Sequence, residues 1–311
     1  MTKLNNKPRV IAVVGPTAVG KTALAIALAK ALDGEVISCD SMQIYRGMDI
    51  GTAKATPDER GEIPHHLIDI REPDEDFSCA DYAFLARACI DDVIARGKTP
   101  IFCGGTGLYL NSVLEISSFA QTTRDDSFRA EMEEFARQNG NSALHARLAE
   151  VDPESAAQIH ENNVKRVIRA LEIYASTGKK KSELDAISKK ESSPYDATVF
   201  FLSAKDKDLL YSRIEKRVDI MLEDGLLDEC KRLYDKGYLS NGMPSSEAIG
   251  YKELVPYIEG RDTLENCVAQ LKLSTRHYAK RQITWFKKNQ SYHTIYTDEE
   301  NALECALEIL K

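Results

Sequence analysis

A glycine-rich segment near the start of the chain has the residue types and spacing of a phosphate-binding loop. It fits the pattern G-x-x-x-x-G-K-[ST] and lies between an apolar run at 9–14 and an Ala/Leu-rich run at 23–32, which indicate a strand and a helix. Backbone N–H groups of such a loop surround an anion, and the helix directs its positive end at it. Lys21 is expected to reach the outer phosphate oxygens, and the Thr22 hydroxyl to ligate Mg²⁺. The predicted phosphate-binding residues are Gly15, Pro16, Thr17, Ala18, Val19, Gly20, Lys21 and Thr22.

A carboxylate follows the second predicted strand, at 35–38. Ligands of parallel α/β sheets bind beyond the carboxyl ends of the strands, so Asp40 is expected to face the same crevice as Thr22. The alternative is that Asp40 only caps the next backbone amides, as Asp after a strand often does. The polar cluster that begins here contains Asp40, Ser41, Met42 and Gln43.

The fourth predicted strand, at 100–103, is followed by Gly104-Gly105-Thr106. An ATP-hydrolysing protein with such a phosphate loop usually ends this strand in an Asp for the metal shell, and no Asp is present here. Glycines allow close approach of the backbone to a ligand, and the Thr106 hydroxyl can donate to a phosphate or a base. A plain tight turn is the alternative. Which phosphate compound binds stays open at this point.

The elements around these segments predict an α/β fold. Strands are predicted at 9–14, 35–38, 66–70, 100–103, 198–202 and 292–296. Their alternation with helices predicts a P-loop NTPase-like parallel sheet flanked by helices. Between 115 and 197 the pattern is helical only, and an insertion at the ligand edge of a sheet is where enzymes carry lids or substrate-binding modules. The predicted organisation is a core with a C-terminal helical part at 1–114 and 198–311, and a helical insertion at 115–197.

The composition is that of an ordinary globular protein of 311 residues, with 43% hydrophobic residues, 29% charged residues and a net charge of −8. The seven cysteines are scattered without a C-x-x-C pair, which argues against a zinc site or a disulfide framework. The N-terminal segment is too polar for a signal peptide, and no apolar run is long enough to span a bilayer. We therefore expect a cytoplasmic protein without a membrane partner. The net charge argues mildly against a nucleic-acid partner, but the placement of charge matters more.

Basic residues cluster in two places. Between 161 and 181 six bases accompany two acids, and Lys165, Arg166 and Arg169 lie within about one helical turn. In the predicted helix 263–289, basic residues recur on one side with Tyr278 and Trp285 nearby, which suits contacts with RNA phosphates and bases. The basic residues on that side are Lys272, Arg276, Lys280 and Lys287. A solvated helix face is the alternative for either run.

A third pair of bases lies on the predicted helix 206–223. Arg213 and Arg217 are four residues apart and therefore share one face of the helix. They are expected either to reach a diphosphate across the crevice or to pair with local carboxylates.

Taken together, eight blocks of sequence resemble the tRNA dimethylallyltransferases, also called tRNA isopentenyltransferases. The resemblance covers nearly the whole chain, and the order of the blocks makes it specific. The blocks are Gly-Pro-Thr-Ala-x-Gly-Lys-Thr at 15–22, Asp-Ser-x-Gln-x-Tyr-Arg at 40–46, Asp-Ile-Gly-Thr-Ala-Lys at 49–54, His-Leu-Ile-Asp at 66–69, Gly-Gly-Thr-Gly-Leu-Tyr at 104–109, Ile-His-x-Asn-x-x-x-Arg-x-x-Arg-Ala-Leu-Glu at 159–172, Ile-Gly-Tyr-Lys-Glu at 249–253 and Arg-Gln-x-Thr-Trp-Phe at 281–286.

The resemblance implies transfer of a dimethylallyl group from dimethylallyl diphosphate to the exocyclic amine of the adenosine 3′ of the anticodon in tRNA. Lys21, Thr22 with Mg²⁺, and Arg217 would stabilise the leaving diphosphate. Asp40 would be the general base, and Thr106 would place the diphosphate or the acceptor. The adenine would leave its stack to reach the crevice. The residues expected to contact tRNA are Asp40, Ser41, Met42, Gln43, Lys165, Arg166, Arg169, Gly250, Tyr251, Lys280, Arg281, Gln282 and Trp285.

Three positions depart from the family pattern. Val19 stands where a smaller residue is common and is expected to reshape the apolar mouth of the site, while Ala248 and Lys287 replace a polar residue and an Arg. The C-terminal zinc finger of the eukaryotic members is absent, which favours the bacterial type. A P-loop small-molecule kinase and a prenyltransferase for free adenine nucleotides are the alternatives, and a non-catalytic RNA-binding protein leaves Asp40 and Thr22 without a chemical role. We expect a monomer.

Overall fold

The computed structural model describes residues 7–115, 124–190 and 192–311. The N-terminal residues 1–6, which enter the prediction that a signal peptide is absent, lie outside these ranges. The chain divides into two compact units, Met1–Leu114 with Tyr195–Lys311, and Glu115–Pro194. We call the first the sheet unit and the second the helical unit.

The sheet unit contains one six-stranded sheet in which every pairing is parallel. Its strands are β1 (Arg9–Val14), β2 (Gly34–Ser38), β3 (His65–His66), β4 (Thr99–Gly104), β5 (Asp196–Ser203) and β6 (His293–Tyr296). The strand order is β3-β2-β4-β1-β5-β6, so β1 is a central strand. Strands β2, β3 and β4 lie on one side of β1, and β5 and β6 lie on the other. The predicted parallel α/β fold is confirmed.

The helices of the sheet unit are α1 (Lys21–Ala31), α2 (Pro57–Arg60), α3 (Cys79–Ala95), α4 (Gly107–Leu114), α10 (Lys207–Glu223), α11 (Leu226–Asp235), α12 (Val255–Ile258), α13 (Leu264–Phe286) and α14 (Ala302–Leu310). Some of them cover both faces of the sheet. Alternate residues of β1 enter two separate hydrophobic clusters, one with α3 and α4 and the other with α1, α10 and α14. Burial on both faces explains why the central strands are almost wholly apolar.

The predicted strand at 66–70 is wrong, because only His65 and His66 pair with β2. Leu67 and Asp69 have φ values of 59° and 55°, in the left-handed region that interrupts a strand. The chain turns there, and the amide of Ile70 donates to the carbonyl of Ile44. The apolar residues of 67–70 therefore belong to a loop that packs against the segment after β2.

Helix α4 lies where the sequence suggested only a glycine turn. It begins at Gly107, one residue after Thr106, and the carbonyl of Thr106 accepts the amides of Tyr109 and Leu110. Six of its eight residues are buried, so it lacks the alternation of polar and apolar faces that marks a surface helix.

The helical unit contains five helices in its described residues. They are α5 (Asp126–Asn139), α6 (Asn141–Val151), α7 (Pro153–Gln158), α8 (Val164–Thr177) and α9 (Lys181–Lys190). Its core is formed by apolar side chains of α5, α6, α7 and α8. In the part of the chain that the structure describes, no helix combines the length and apolar character needed to cross a membrane.

One buried carboxylate joins α5 and α8. Glu172 is 1% exposed and accepts the amide of Asp125, both Nε and Nη2 of Arg129, and Nη1 of Arg169 at 2.5–2.9 Å. Burial opposes its charge, but these donors outweigh burial and lower the pKa of Glu172 from 4.5 to about 2. A group whose pKa is lowered by folding stabilises the fold above its unfolded pKa. This contribution is therefore present above about pH 4.5 and is lost as the pH falls toward 2.

Replacing Glu172 by Gln is expected to lower the free energy of unfolding by about 1–3 kcal/mol, because two guanidinium groups lose their shared anion. Urea unfolding followed by far-UV circular dichroism at neutral pH measures this difference. Glu131→Gln, on the exposed side of α5, is the matched control and should unfold like the wild type. Equal free energies for the Glu172 and Glu131 variants would contradict the prediction.

Candidate active site

The phosphate loop connects β1 to α1. Gly20 has φ 86° and precedes the first residue of α1, and Ala18 is also left-handed at φ 65°. This conformation favours glycine at position 20 and turns the chain sharply into the helix. The ammonium of Lys21 folds back and donates to the carbonyl of Pro16 at 2.7 Å. Val19 is buried in the core behind the loop, so it does not reshape an apolar mouth as expected from the sequence.

A cavity of about 320 Å³ opens beside this loop, and all of its lining residues belong to the sheet unit. Its lining includes Thr17, Lys21 and Thr22 of the loop and Arg217 of α10. It also includes Asp40, residues 41–43, 51–53, 247–250 and 252, Tyr278 and Arg281. The structure thus brings three of the eight predicted phosphate-binding residues, Thr17, Lys21 and Thr22, into one cavity with the predicted carboxylate.

Asp40 both faces the cavity and caps the backbone. Its Oδ1 accepts the amide of Met42 at 3.0 Å, as in the capping alternative. Burial raises the pKa of Asp40 above its usual value of 3.8, against the effects of the Met42 amide and the nearby Lys21 ammonium. Burial likewise lowers the pKa of Lys21 from 10.5 to about 8. A carboxylate and an amine with shifted pKa values in one cavity indicate a chemical site.

Thr106 follows β4 in the same way that Asp40 follows β2, and these two strands are neighbours in the sheet. Its Oγ1 accepts the amide of Ser41 at 3.0 Å, so it holds the chain after Asp40 in place. Tyr278 of α13 lies near Thr106 and lines the cavity. The sequence suggested base stacking for Tyr278, and its position near Thr106 could not be predicted because the two residues are far apart in the chain.

Arg217 is joined to the phosphate loop, whereas Arg213 is not. Nη1 of Arg217 lies 3.3 Å from Oγ1 of Thr17, and burial lowers the pKa of the guanidinium. Arg213 instead lies 3.4 Å from the hydroxyl of Thr297 and does not line the cavity described above. Arg217 therefore faces the cavity that contains Asp40, whereas Arg213 lines a second cavity together with the loop residues Ala18, Val19 and Gly20.

Two of the residues predicted to contact tRNA, Gln282 and Tyr251, are buried, and Gln282 also lines the cavity. Gln282 is 5% exposed; its Oε1 accepts the amide of Thr17 and its Nε2 donates to the carbonyl of Gly105, each at 3.1 Å. It therefore ties the phosphate loop to the turn after β4. Tyr251 is fully buried and cannot offer its ring to a partner in this conformation, while Gly250 lines the cavity.

The basic side of α13 is only partly free. Lys272 pairs with Asp219 at 2.6 Å and Arg276 with Glu215 at 3.1 Å, so these two bases fasten α13 to α10. This corrects the interpretation of a continuous basic stripe. Lys280, Arg281, Trp285 and Lys287, further along the helix, are exposed.

Of the three predicted basic residues of the helical unit, one forms an ion pair within the protein and two are exposed. Arg169 is committed to Glu172, as described above, whereas Lys165 and Arg166 are exposed on α8. The exposed pair presents positive charge to solvent.

The residues present suit a Mg²⁺ ion only if a substrate supplies most of its ligands. Within residues 7–115, 124–190 and 192–311, no cluster of three or more His, Cys, Asp or Glu side chains that could hold a metal is found. Thr22 offers one hydroxyl oxygen at the cavity, and Cys103 lines the same cavity. Mg²⁺ is commonly bound by few protein ligands together with phosphate oxygens, so the site fits an ion brought in with a diphosphate.

Comparison with known proteins gives a consistent set of relatives. A family model described as IPP transferase matches residues 43–289. A tRNA dimethylallyltransferase of Bacillus velezensis is 53% identical over 283 residues, which is 91% of this chain and 89% of that protein. The tRNA dimethylallyltransferase of Bacillus subtilis is 52% identical over the same share of each chain.

Two solved structures are similar over 97% of the chain. The full-length tRNA isopentenylpyrophosphate transferase of Bacillus halodurans is 46% identical with a TM-score of 0.72, and 94% of that chain is covered. A eukaryotic dimethylallyltransferase acting on tRNA is 31% identical with a TM-score of 0.84, and 78% of that chain is covered.

Proposed function

The chain belongs to the IPP transferase family, and we infer that it transfers a dimethylallyl group from dimethylallyl diphosphate to an adenosine of tRNA. The acceptor is the exocyclic amine of the adenosine 3′-adjacent to the anticodon, and diphosphate is released. The observation that carries this inference is the cavity that contains both phosphate-loop residues and the half-buried carboxylate of Asp40, with no Asp at the end of β4 for ATP hydrolysis. This agrees with the family resemblance found in the sequence.

The diphosphate is proposed to bind residues 15–22 and to depart from them. Backbone amides of the loop, the Lys21 ammonium and the Arg217 guanidinium would meet the negative charge that grows as the allylic carbon–oxygen bond breaks. The electron pair of that bond leaves with the diphosphate. Mg²⁺ bound between Thr22 and the diphosphate would neutralise part of this charge.

Asp40 is proposed as the general base. The exocyclic amine forms the new carbon–nitrogen bond, and its surplus proton passes to the Asp40 carboxylate. A raised pKa makes this carboxylate a better proton acceptor than an exposed one. Thr106 would position the acceptor or the diphosphate through its hydroxyl, with Tyr278 as its neighbour.

Contacts with the anticodon stem-loop are proposed for exposed bases on both units. Lys165, Arg166, Lys280 and Arg281 would bind RNA phosphates. Ser41, Met42 and Gln43 would contact the extruded adenine or its neighbours, and Trp285 would stack on a base. Gly250 would approach the acceptor with its backbone, and the helical unit as a whole would serve tRNA binding. We propose that the chain acts in the cytoplasm as a monomer.

A direct assay tests this function. Purified protein is incubated with Mg²⁺, dimethylallyl diphosphate labelled in the prenyl group, and either an anticodon stem-loop RNA or adenosine monophosphate. We expect label in the RNA only. Label in the mononucleotide would indicate the free-nucleotide prenyltransferase, and ATP-dependent phosphorylation without prenyl transfer would indicate a kinase.

A further inference from the structure

Glu229 of α11 is a buried carboxylate that none of the proposed roles above uses. It is 3% exposed and accepts the amides of Asp49, Ile50 and Gly51 at 3.0–3.1 Å, together with the hydroxyl of Tyr251 at 2.6 Å. Three successive backbone N–H groups form an anion-binding concavity. In this protein the concavity is filled by the carboxylate of Glu229.

The charge of Glu229 is met mainly by these donors. Arg232, on the same helix, approaches one carboxylate oxygen only to 4.0 Å, and its side chain is exposed. Hydrogen bonds to a buried charged acceptor are stronger than those between neutral groups. Glu229 is therefore a strong anchor for the segments that it contacts.

Both contacted segments line the cavity. The first is 49–53, whose residues Gly51, Thr52 and Ala53 face it, and the second contains Glu247, Ala248, Ile249 and Gly250. The segments also touch directly: a Cβ added at Gly51 would lie 2.5 Å from the Tyr251 ring. Glu229 thus fastens two separate stretches of chain into one piece of cavity wall.

This wall is bonded to a residue proposed to meet the adenine. Nε2 of Gln43 donates to the carbonyl of Thr52 at 3.2 Å. Ser41, Met42 and Gln43 line the same cavity as the wall. The wall is therefore tied to the part of the chain that is proposed to receive the acceptor base.

We propose that Glu229 is a positioning residue that sets the adenosine-receiving wall of the cavity by holding segments 49–53 and 247–251 together. The proposal rests on the function inferred above. It predicts a selective effect on the RNA substrate, because the phosphate loop, Lys21 and Arg217 have no contact with Glu229 among those described.

Replacing Glu229 by Gln retains the size of the side chain, but its amide group cannot accept all four donors. The segment keeps a second anchor, because the buried Lys54 ammonium binds the carbonyl of Tyr45 and the carboxylates of Asp49 and Asp69. The variant should therefore fold with a misplaced wall. We expect KM for the stem-loop RNA to rise about tenfold or more, while KM for dimethylallyl diphosphate stays within about twofold.

The test measures both KM values and kcat by varying each substrate at saturation of the other, with folding checked by thermal unfolding. Gly51→Ala displaces the same wall without altering Glu229, and it should reproduce the selective rise. Asp298→Asn is the matched control, since Asp298 also accepts backbone amides, those of Lys205 and Asp206, but does not line the cavity. Its kinetics should equal those of the wild type.

The outcomes separate the inference from the function on which it rests. An unchanged RNA KM in either folded wall variant, or an equal rise in both KM values, would overturn the role of Glu229. If Glu229→Gln does not fold, Gly51→Ala alone decides between the two outcomes. Failure of the wild-type protein to prenylate the RNA would instead overturn the proposed function.

Discussion

Replacing Asp40 by Asn is expected to lower kcat for prenyl transfer to RNA by about 10²–10⁴-fold, the range for loss of a general base. The change is nearly isosteric, and the Asn side-chain oxygen can still accept the Met42 amide that Oδ1 of Asp40 accepts now. The chain after β2 should therefore keep its conformation. What is lost is the acceptor for the proton of the attacking amine.

The measurement combines single-turnover transfer with equilibrium binding of dimethylallyl diphosphate. Binding should stay within about threefold of the wild-type value, because the loop residues are untouched. Asp74→Asn, in the exposed acidic loop before α3, is the matched control and should transfer at the wild-type rate. A variant that keeps more than about a tenth of the wild-type kcat would remove Asp40 from the role of base.

The pH profile gives an independent readout of the same role. Burial raises the pKa of Asp40, so the carboxylate is protonated at a higher pH than an ordinary Asp. A base must be deprotonated to act, so the rate should fall as the pH drops through this raised pKa. The acid limb should vanish from the residual rate of the Asn variant, and an unchanged limb would assign it to another group.

Local sequence patterns predict the parts of this site that are formed by short segments. The phosphate loop, Asp40 after β2 and Thr106 after β4 each follow an apolar strand, and the parallel sheet brings strand ends to one edge. The position of each of these residues can therefore be predicted from the few residues that precede it in the sequence. The same patterns predict the sheet itself.

Contacts between distant segments are beyond that kind of reasoning. Gln282 bonds to Thr17, 265 residues away, and Glu229 to Gly51, 178 residues away. In sequence, both lie on helices whose polar residues look like surface positions. Nothing local distinguishes a buried glutamine that ties two loops together from one on the surface, so the bonds of Gln282 to Thr17 and Gly105 could not be predicted from the sequence.

Charge patterns mislead for a related physical reason. Lys272 and Arg276 share a helix face with Lys280, but carboxylates of α10 lie opposite the first two only. Spacing reveals which bases share a face, whereas their pairing depends on the helix packed against that face. The basic surface available to RNA is therefore smaller than the sequence suggests.

Replacing Lys21 by Met is expected to lower kcat/KM for dimethylallyl diphosphate by about 10²–10³-fold, the usual cost of losing one donor to a developing anion. The ammonium lies at the helix N-terminus beside the cavity, and burial already disfavours its charge, lowering its pKa to about 8. The hydrogen-bond acceptor of Lys21 is now the neutral carbonyl of Pro16. A bound diphosphate would give the ammonium a charged acceptor. Met retains much of the length of the side chain without the charge.

Inhibition by inorganic diphosphate measures the binding part of this loss, and single-turnover transfer at saturating donor measures the part that arises in the transition state. Lys30→Met, at the exposed last turn of the same helix, is the matched control and should retain wild-type kinetics. Retention of both diphosphate inhibition and transfer rate in the Lys21 variant would contradict the proposed leaving-group site.

The two replacements separate the halves of the reaction, because loss of Asp40 should spare diphosphate binding whereas loss of Lys21 should impair it. A cavity that only binds RNA or a nucleotide would show no such division.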